Sequence, residues 1–303
     1  MMIDAIIVGA GPAGMMAAIY LKRANKDIVI LDKNSPGGRL KSTYQVDNYL
    51  GFGRVSADEL VQKMVNHLKD LEIEETDGFV KKITRTPKGF TVQTELETYE
   101  TKAVILATGT APKHLGVKNE KALLARGVSY CAVCDGIFFE NRDVVVIGGG
   151  DSALEESLYL AEIASSVVII HDLPELTASQ GIIKKVKQHP KIQIRLNTKV
   201  LEFIGSTELE AVKLQNKSTY LLEVFPTSGA FIYVGNQADT SFLTDSMNFD
   251  QSGYIEVNQE MSTNIPGIFA CGDVTKKDYR FIVTAISDGA IAALSAVKYI
   301  DSL

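Results

Sequence analysis

The sequence predicts an α/β fold built from two similar nucleotide-turn units, and three observations predict it. Two stretches, starting at Gly9 and Gly148, repeat one order of elements: apolar strand, glycine turn, helix, second apolar strand. Segments of strand period lie between and after them. The chain has 303 residues, of which 46% are apolar, enough for two domains with real cores.

The run Asp4-Ala5-Ile6-Ile7-Val8 is continuous and apolar, the pattern of a buried parallel strand. Gly9-Ala10-Gly11-Pro12-Ala13-Gly14 follows, then a helix over Met15 to Arg23. A second strand, Ile28 to Leu31, ends at Asp32, which lies 23 residues after Gly9. This is the complete G-x-G-x-x-G unit of a Rossmann-like domain. The first glycine makes the tight turn, the second lets the backbone approach a pyrophosphate, and the third lets the helix pack on the sheet. The positive helix end faces the phosphates, and the acid receives ribose hydroxyls.

Pro36 to Leu40 and Val46 to Phe52 read as loops whose glycines permit close approach to a flat ligand. Ala57 to Leu71 spaces Leu60, Val61, Met64, Val65 and Leu68 as an amphipathic packing helix. Phe79 to Glu100 alternates and reads as antiparallel strands. Ala103 to Ala107 reads as another buried strand, closed by Thr108-Gly109-Thr110.

The pattern then repeats. Asp143 to Ile147 is a strand, Gly148-Gly149-Gly150-Asp151-Ser152-Ala153 a turn of G-x-G-x-x-A form, Leu154 to Ile163 its helix and Val167 to Ile170 the next strand. The unit continues through Ile192 to Leu196, short strands between Val200 and Val224, and a last strand from Gly229 to Gly235. From Thr244 the chain changes character, passing Gly253 to Val257 and Ile265 to Asp273 before a closing helix from Ile282 to Tyr299.

The net charge of −6 argues against nucleic acid as a partner, because phosphate binding needs a basic face. The apolar run from Ile3 to Leu21 is broken by Asp4, three glycines and a proline, a strand–turn–helix pattern and not a membrane span. Met1-Met2-Ile3-Asp4 carries no basic region or cleavage site, so no signal peptide is expected.

Cys131-Ala132-Val133-Cys134 lies just before the second glycine turn. Two cysteines at this spacing can close a small disulfide, and opening it gives a dithiol with one partly ionised sulfur. Asp135 follows and could move a proton to or from the leaving sulfur. A zinc half-site or two buried thiols are the alternative readings. Zinc would need two more ligands, and the chain offers only Cys271 and the scattered His67, His114, His171 and His189. A lone CxxC in a chain with three cysteines fits a reducing, cytoplasmic setting.

GAGPAG at Gly9, GGRL at Gly37, ATG at Ala107, CAVCDG at Cys131, GGGDSALEE at Gly148 and ACGDV at Ala270 with YR at Tyr279 stand in a fixed order. Together they resemble the low-molecular-weight thioredoxin reductase family over nearly the whole chain. The resemblance implies a split FAD-binding domain, residues 1–113 and 241–303, and an inserted pyridine-nucleotide-type domain, 114–240, that carries the CxxC. It implies a flavin-dependent disulfide oxidoreductase, usually a homodimer, that reduces thioredoxin or a similar protein, with no membrane and no metal. By resemblance Cys134 is the sulfur nearer the flavin, Cys131 attacks the partner's disulfide, and Asp135 is the proton donor. Gly9, Gly11, Pro12, Ala13, Gly14 and Asp32 would hold the ADP half of FAD. Gly38, Arg39, Leu40, Asn48, Val80, Thr108, Gly109, Asp273, Arg280, Phe281 and Ile282 would meet the rest. Gly148, Gly149, Gly150, Asp151, Ser152, Ala153 and Asp172 would meet a nicotinamide nucleotide.

The chain departs from the family in one informative place. Members that use NADPH carry His-Arg-Arg and a further Arg after the second strand of the second unit. Here the stretch reads His171-Asp172-Leu173-Pro174-Glu175-Leu176-Thr177-Ala178-Ser179, with the arginines gone. A carboxylate 24 residues after Gly148 favours free ribose hydroxyls and repels a 2′-phosphate. NADH is therefore the expected donor, ahead of NADPH. Reduced ferredoxin or another donor is the alternative, since some thioredoxin reductase-like flavoenzymes do without a nicotinamide. Arg39 and Phe281 each replace a common Gln beside the flavin, and the region from Thr198 to Phe225 is short.

Overall fold

The computed structural model describes residues 2–33, 36–240, 242–243 and 246–303. The change of character expected at Thr244 and the boundary at Ser241 lie outside the described residues. The chain forms two units: Met1–Lys41, Gln45–Ala111 and Gln237–Leu303 make unit 1, and Ser42–Tyr44 with Pro112–Asn236 make unit 2.

Unit 1 begins with β1 (Ile3–Val8), α1 (Pro12–Arg23) and β2 (Ile28–Asp32). Pro12 starts α1 because proline has no N–H to leave unpaired in a first turn. Two short strands, β3 (Gln45–Val46) and β4 (Val55–Ser56), precede α2 (Ala57–Asp70). Ser56 caps α2, its hydroxyl accepting from the Glu59 amide at 3.2 Å. Then come β5 (Glu75–Asp77), β6 (Lys82–Thr86), β7 (Gly89–Gln93) and β8 (Thr98–Leu106). The two segments expected near Tyr99 and Ala103–Ala107 are one strand. Its first half pairs antiparallel with β7 and is partly exposed, while its second half is buried and runs parallel to β1. The sequence period therefore changes from alternating to continuous inside one strand.

The chain crosses into unit 2 at β9 (Thr110–Pro112). There β10 (Val128–Ser129) leads to the short helix α3 (Ala132–Asp135). Next come β11 (Asp143–Ile147), α4 (Asp151–Ile163), β12 (Ser166–Ile170), α5 (Gln180–Gln188) and β13 (Ile192–Arg195). The sequence reading omits α5, whose nine residues bury little beyond Ile183 and Val186. A three-stranded antiparallel sheet follows: β14 (Thr198–Ile204), β15 (Ala211–Asn216) and β16 (Leu222–Pro226). Then β17 (Gly229–Ile232) returns between β10 and β11 in a parallel sheet ordered β10-β17-β11-β12-β13. Phe139 and Phe231 meet edge to face at 5.3 Å in its core.

The chain returns through β18 (Asn236–Ala238) to unit 1, where β19 (Ile268–Ala270) pairs parallel with β8 and α6 (Ile282–Asp301) closes the fold. The unit 1 sheet is ordered β5-β2-β1-β8-β7-β6, with β19 on β8. By length and composition alone α6 could cross a membrane. Its Ala285, Gly289, Ala292, Ala293 and Ala296 are buried. A Cβ on Gly289 would stand 2.1 Å from the Ala13 carbonyl oxygen, so α1 and α6 pack backbone to backbone.

Buried in unit 2, Glu156 has a carboxyl oxygen with no hydrogen-bond partner. Burial, with the nearby Glu155 charge, pushes its carboxyl up to about 8 from 4.5. The stability of the neutral form is complete below the unfolded value and is lost as pH rises through the folded value. This group alone should lower unfolding free energy by roughly 3 kcal/mol between about pH 5 and pH 8. Glu156→Gln should remove that part of the fall in urea titrations at the two pH values. An unchanged pH slope in the variant contradicts a buried neutral carboxyl.

Candidate active site

Cys131 and Cys134 are joined by a disulfide at the start of α3. The strand β10 delivers them, pairing parallel with β17 through Val128↔Ala230 and Ser129↔Phe231. Cys131 has extended backbone, so the chain turns at once into α3 and brings the sulfurs together. The Cys134 amide donates to Cys131 Sγ at 3.1 Å. An N–H aimed at that sulfur would favour its thiolate after reduction.

Ser129 organises this turn. Its Oγ accepts from the Cys131 amide at 3.0 Å and donates to Asp135 Oδ2 at 2.6 Å. The Asp135 amide donates to the Cys131 carbonyl at 3.1 Å. Asp135 is thus held one turn beyond Cys131 with a fixed carboxylate. Tyr233, just after β17, accepts from the Ala132 amide at 2.9 Å through its hydroxyl. That amide opens α3 and has no partner within the helix. Behind the turn, Tyr130 donates to Glu120 Oε1 at 2.5 Å, and His114 Nδ1 lies 2.6 Å from the same hydroxyl. The amides of Leu115 and Gly116 also donate to the buried Glu120, at 2.8 and 2.7 Å. Burial raises the Glu120 carboxyl, but these donors outweigh it and hold the group below its usual value. Burial, then Glu120, pushes the Tyr130 hydroxyl above its ordinary range. Ser129 and Tyr130 adjoin the CxxC in sequence; Tyr233, Glu120 and His114 do not, and sequence reasoning missed them as neighbours of the redox pair.

The second glycine turn lies in the same unit. Gly148 takes φ +139, and a Cβ there would stand 2.2 Å from the Tyr233 carbonyl oxygen. Gly150 precedes α4, and Asp151, Ser152 and Ala153 form its first turn. His171 is buried against Gly149, where a Cβ would meet its ring at 2.5 Å, and its Nε2 has no partner. The segment after His171 folds down on the turn. The Thr177 amide donates to the Gly149 carbonyl at 2.9 Å, and the Ser179 amide to Asp151 Oδ1 at 2.8 Å. Asp172 is half exposed at the end of β12.

In unit 1, Gly9 takes φ +110, and a Cβ there would stand 2.3 Å from the Ala107 carbonyl oxygen. A Cβ on Gly14 would stand 1.9 Å from the Gly9 carbonyl oxygen, so only glycine lets α1 sit this close. Gly11 faces open space, and Pro12 and Ala13 begin α1. The Ala10 amide donates to Asp32 Oδ2 at 2.5 Å, which fixes the acid beside the turn. A pocket at the carboxyl ends of β1 and β2 is lined by Gly9, Asp32, Val80 and Thr108, with Lys33, Phe79, Asp239 and Phe242. This is where ligands enter open α/β sheets. The last four residues were not anticipated: Lys33 and Phe79 adjoin the expected Asp32 and Val80, whereas Asp239 and Phe242 come from a distant part of the chain.

The other expected flavin contacts are also within unit 1. Gly38 approaches Gly11, with a Cβ 3.3 Å from its Cα, while Leu40 is buried in the core. Asn48 is exposed in the loop after β3. Arg39 donates to Thr110 Oγ1 at 3.0 Å, and Thr108 to the Asp239 carbonyl at 2.8 Å. Gly109 takes φ +66 in open space. Arg280 donates to the Asp273 and Thr275 carbonyls at 3.3 Å and stacks on Tyr254 at 3.9 Å. Phe281 caps α6 ahead of Ile282 and stacks on Tyr279 at 6.1 Å. Asp273 Oδ1 is buried with no partner. Burial raises its carboxyl, against the lowering charges of Lys277, Arg39 and Arg280. An orphaned acceptor of this kind fits an occupant that brings hydroxyl donors, as the polyol chain of a flavin dinucleotide does.

The model of the pyridine nucleotide-disulphide oxidoreductase family matches residues 3–289, and the chain belongs to that family. It is 42% identical to a thioredoxin reductase of Listeria innocua, over 99% of this chain and 94% of that protein. The solved thioredoxin reductase of Lactococcus lactis superposes with a TM-score of 0.96 at 40% identity, covering 99% of this chain and all of that one. A ferredoxin-flavin thioredoxin reductase of Clostridium acetobutylicum is 29% identical, covers 99% of both chains and has a TM-score of 0.56. The enzyme class that fold, disulfide and relatives define is a flavin-dependent disulfide oxidoreductase of the thioredoxin reductase type.

Tyr233→Phe tests the seat of α3. It leaves the Ala132 amide without its acceptor and should destabilise the protein by about 1 kcal/mol. Denaturant titration checks this, and an unchanged midpoint contradicts it.

Proposed function

We propose that this enzyme passes two electrons through FAD, bound in unit 1, to the Cys131–Cys134 disulfide, and from there to thioredoxin or a thioredoxin-like protein. The observation that carries the reading is the disulfide itself, with Cys134 N–H on Cys131 Sγ and Asp135 fixed by Ser129. Bound FAD supplies a two-electron relay between a hydride donor and a disulfide. Unit 1 serves as its domain and unit 2 as the nicotinamide domain, close to the expected division at 113/114 and 240/241. Gly9, Gly11, Gly14 and Asp32 hold the ADP half, and Asp273 the polyol chain.

The dithiol then reduces the partner by exchange. Cys131 thiolate attacks one sulfur of the partner disulfide, forming a mixed disulfide and releasing the other partner sulfur as thiolate. Cys134 thiolate attacks Cys131 Sγ, which releases the second partner sulfur and restores the Cys131–Cys134 bond. Two electrons leave with the partner's dithiol. Asp135 handles the proton exchanged at the pair, in a geometry that Ser129 maintains. The enzyme works in the cytoplasm as a homodimer.

NADH is the donor this reading favours over NADPH. Asp172 at the end of β12 supports it, because a carboxylate there accepts from ribose hydroxyls. A ferredoxin-fed enzyme is the second reading, motivated by the similarity to the clostridial ferredoxin-flavin protein.

Cys131→Ser should keep FAD bound and abolish disulfide reduction; full turnover by this variant contradicts the assignment. Ser129→Ala should lower turnover about tenfold, since the Asp135 carboxylate loses the hydroxyl that positions it. Unchanged turnover would remove Ser129 from the mechanism. For the donor, oxygen-free protein is mixed separately with NADH and NADPH and flavin absorbance is followed. Fast bleaching by NADH alone supports the reading. Bleaching by neither, with dithionite still effective, moves the assignment to ferredoxin.

A further inference from the structure

Lys217, in the turn between β15 and β16, faces Asp172 at the end of β12. Its Nζ lies 3.2 Å from Asp172 Oδ2. The placement is built into the backbone. The Lys217 amide donates to the Asn197 carbonyl at 2.6 Å, and the Asn197 amide donates to the Leu173 carbonyl at 3.0 Å. Asn197 takes φ 50, a left-handed turn that asparagine tolerates. The same connection holds His171 from both sides: its amide donates to the Arg195 carbonyl at 2.9 Å, and its carbonyl accepts from Thr198 at 2.9 Å. Asp172 and Lys217 are therefore tied to one short splint, residues 195–198.

Both side chains remain reachable, at 55% and 41% exposed. An exposed ion pair contributes little to stability, so its position and not its strength is informative. A carboxylate at this place accepts from the 2′- and 3′-hydroxyls of an adenosine ribose, whereas a nearby cation accommodates a 2′-phosphate. The chain provides both, the acid from the strand end and the cation from a hairpin 45 residues further on.

We infer that the Asp172–Lys217 pair, and not Asp172 alone, sets which ribose this site accepts. Asp172 selects the free hydroxyls. Lys217 offsets its charge and supplies the positive partner for a 2′-phosphate, so discrimination against the phosphorylated nucleotide is graded and not absolute. The inference rests on the reading of residues 148–153 as a nucleotide site.

The test is calorimetric binding of ADP-ribose and 2′-phospho-ADP-ribose to the flavin-loaded protein, which reads the site without electron transfer. Removing one charge near 4 Å from a solvent-exposed phosphate changes affinity about fivefold. Lys217→Ala should therefore move the ratio of the two affinities about fivefold against the phosphorylated ligand. Lys217→Arg should keep the ratio, and Asp172→Asn should move it the other way. Equal weakening of both ligands by Lys217→Ala, or an unchanged ratio, overturns the assignment of Lys217 while leaving the nucleotide site standing. Failure of the unmodified protein to bind either ligand overturns the nucleotide-site reading and this inference with it.

Discussion

The chemistry of this enzyme depends on how a two-residue edge strand seats a four-residue helix. β10 contributes only Val128 and Ser129 to its sheet, and both pair with β17. So short a strand could not fix a redox turn by its ladder alone. Side chains complete the seat. Ser129 binds the Cys131 amide on one side and the Asp135 carboxylate on the other. Tyr233 receives the Ala132 amide, and Cys131 Sγ receives that of Cys134. The first turn is thus seated partly from within the motif, by Cys131 Sγ, and partly from outside it, by Tyr233. The same bonds that order the disulfide place a donor against Cys131 Sγ, the sulfur proposed to attack as thiolate.

The two glycine turns share one steric reason. In unit 1 a Cβ on Gly9 would strike the carbonyl of Ala107, the residue just after β8. In unit 2 a Cβ on Gly148 would strike the carbonyl of Tyr233, the residue just after β17. Each first glycine therefore backs onto the end of the neighbouring parallel strand, at a positive φ that other residues avoid. Tyr233 consequently serves two places at once: its carbonyl borders the nucleotide turn and its hydroxyl borders the redox turn. The third motif position differs, Gly14 in one unit and Ala153 in the other. Gly14 would meet the Gly9 carbonyl at 1.9 Å, whereas the side chain of Ala153 is accommodated in the core beside Gly148.

Much of this was legible in the chain because the signals are local. Strand, glycine turn, helix and acid follow one another within about thirty residues of each motif, and each residue type answers a local steric or electrostatic need. Cys131, Cys134 and Asp135 likewise announce themselves by spacing. What was not legible comes from elsewhere in the sequence. Tyr233 stands 101 residues from the amide it receives, and Lys217 stands 45 residues from Asp172. Glu120 carries no motif that marks it in the sequence, yet it is buried, with three hydrogen bonds in place of its water. The helix α5 escaped notice because it is short and holds only three apolar residues, Ile182, Ile183 and Val186, beside a glycine and five polar or charged ones. β8 was divided in two because its environment changes halfway along.

The central claim is that electrons reach the Cys131–Cys134 disulfide through the flavin. Its most direct measurement is oxygen-free reduction of the flavin-loaded protein, rapid alkylation of new thiols, and peptide mass spectrometry. Cys271 is fully buried, so its thiol, pushed up by burial, should stay unlabelled in folded protein. The account predicts two new labels, at Cys131 and Cys134, appearing in step with flavin reoxidation. A flavin that is reduced while Cys131 and Cys134 remain joined would contradict it.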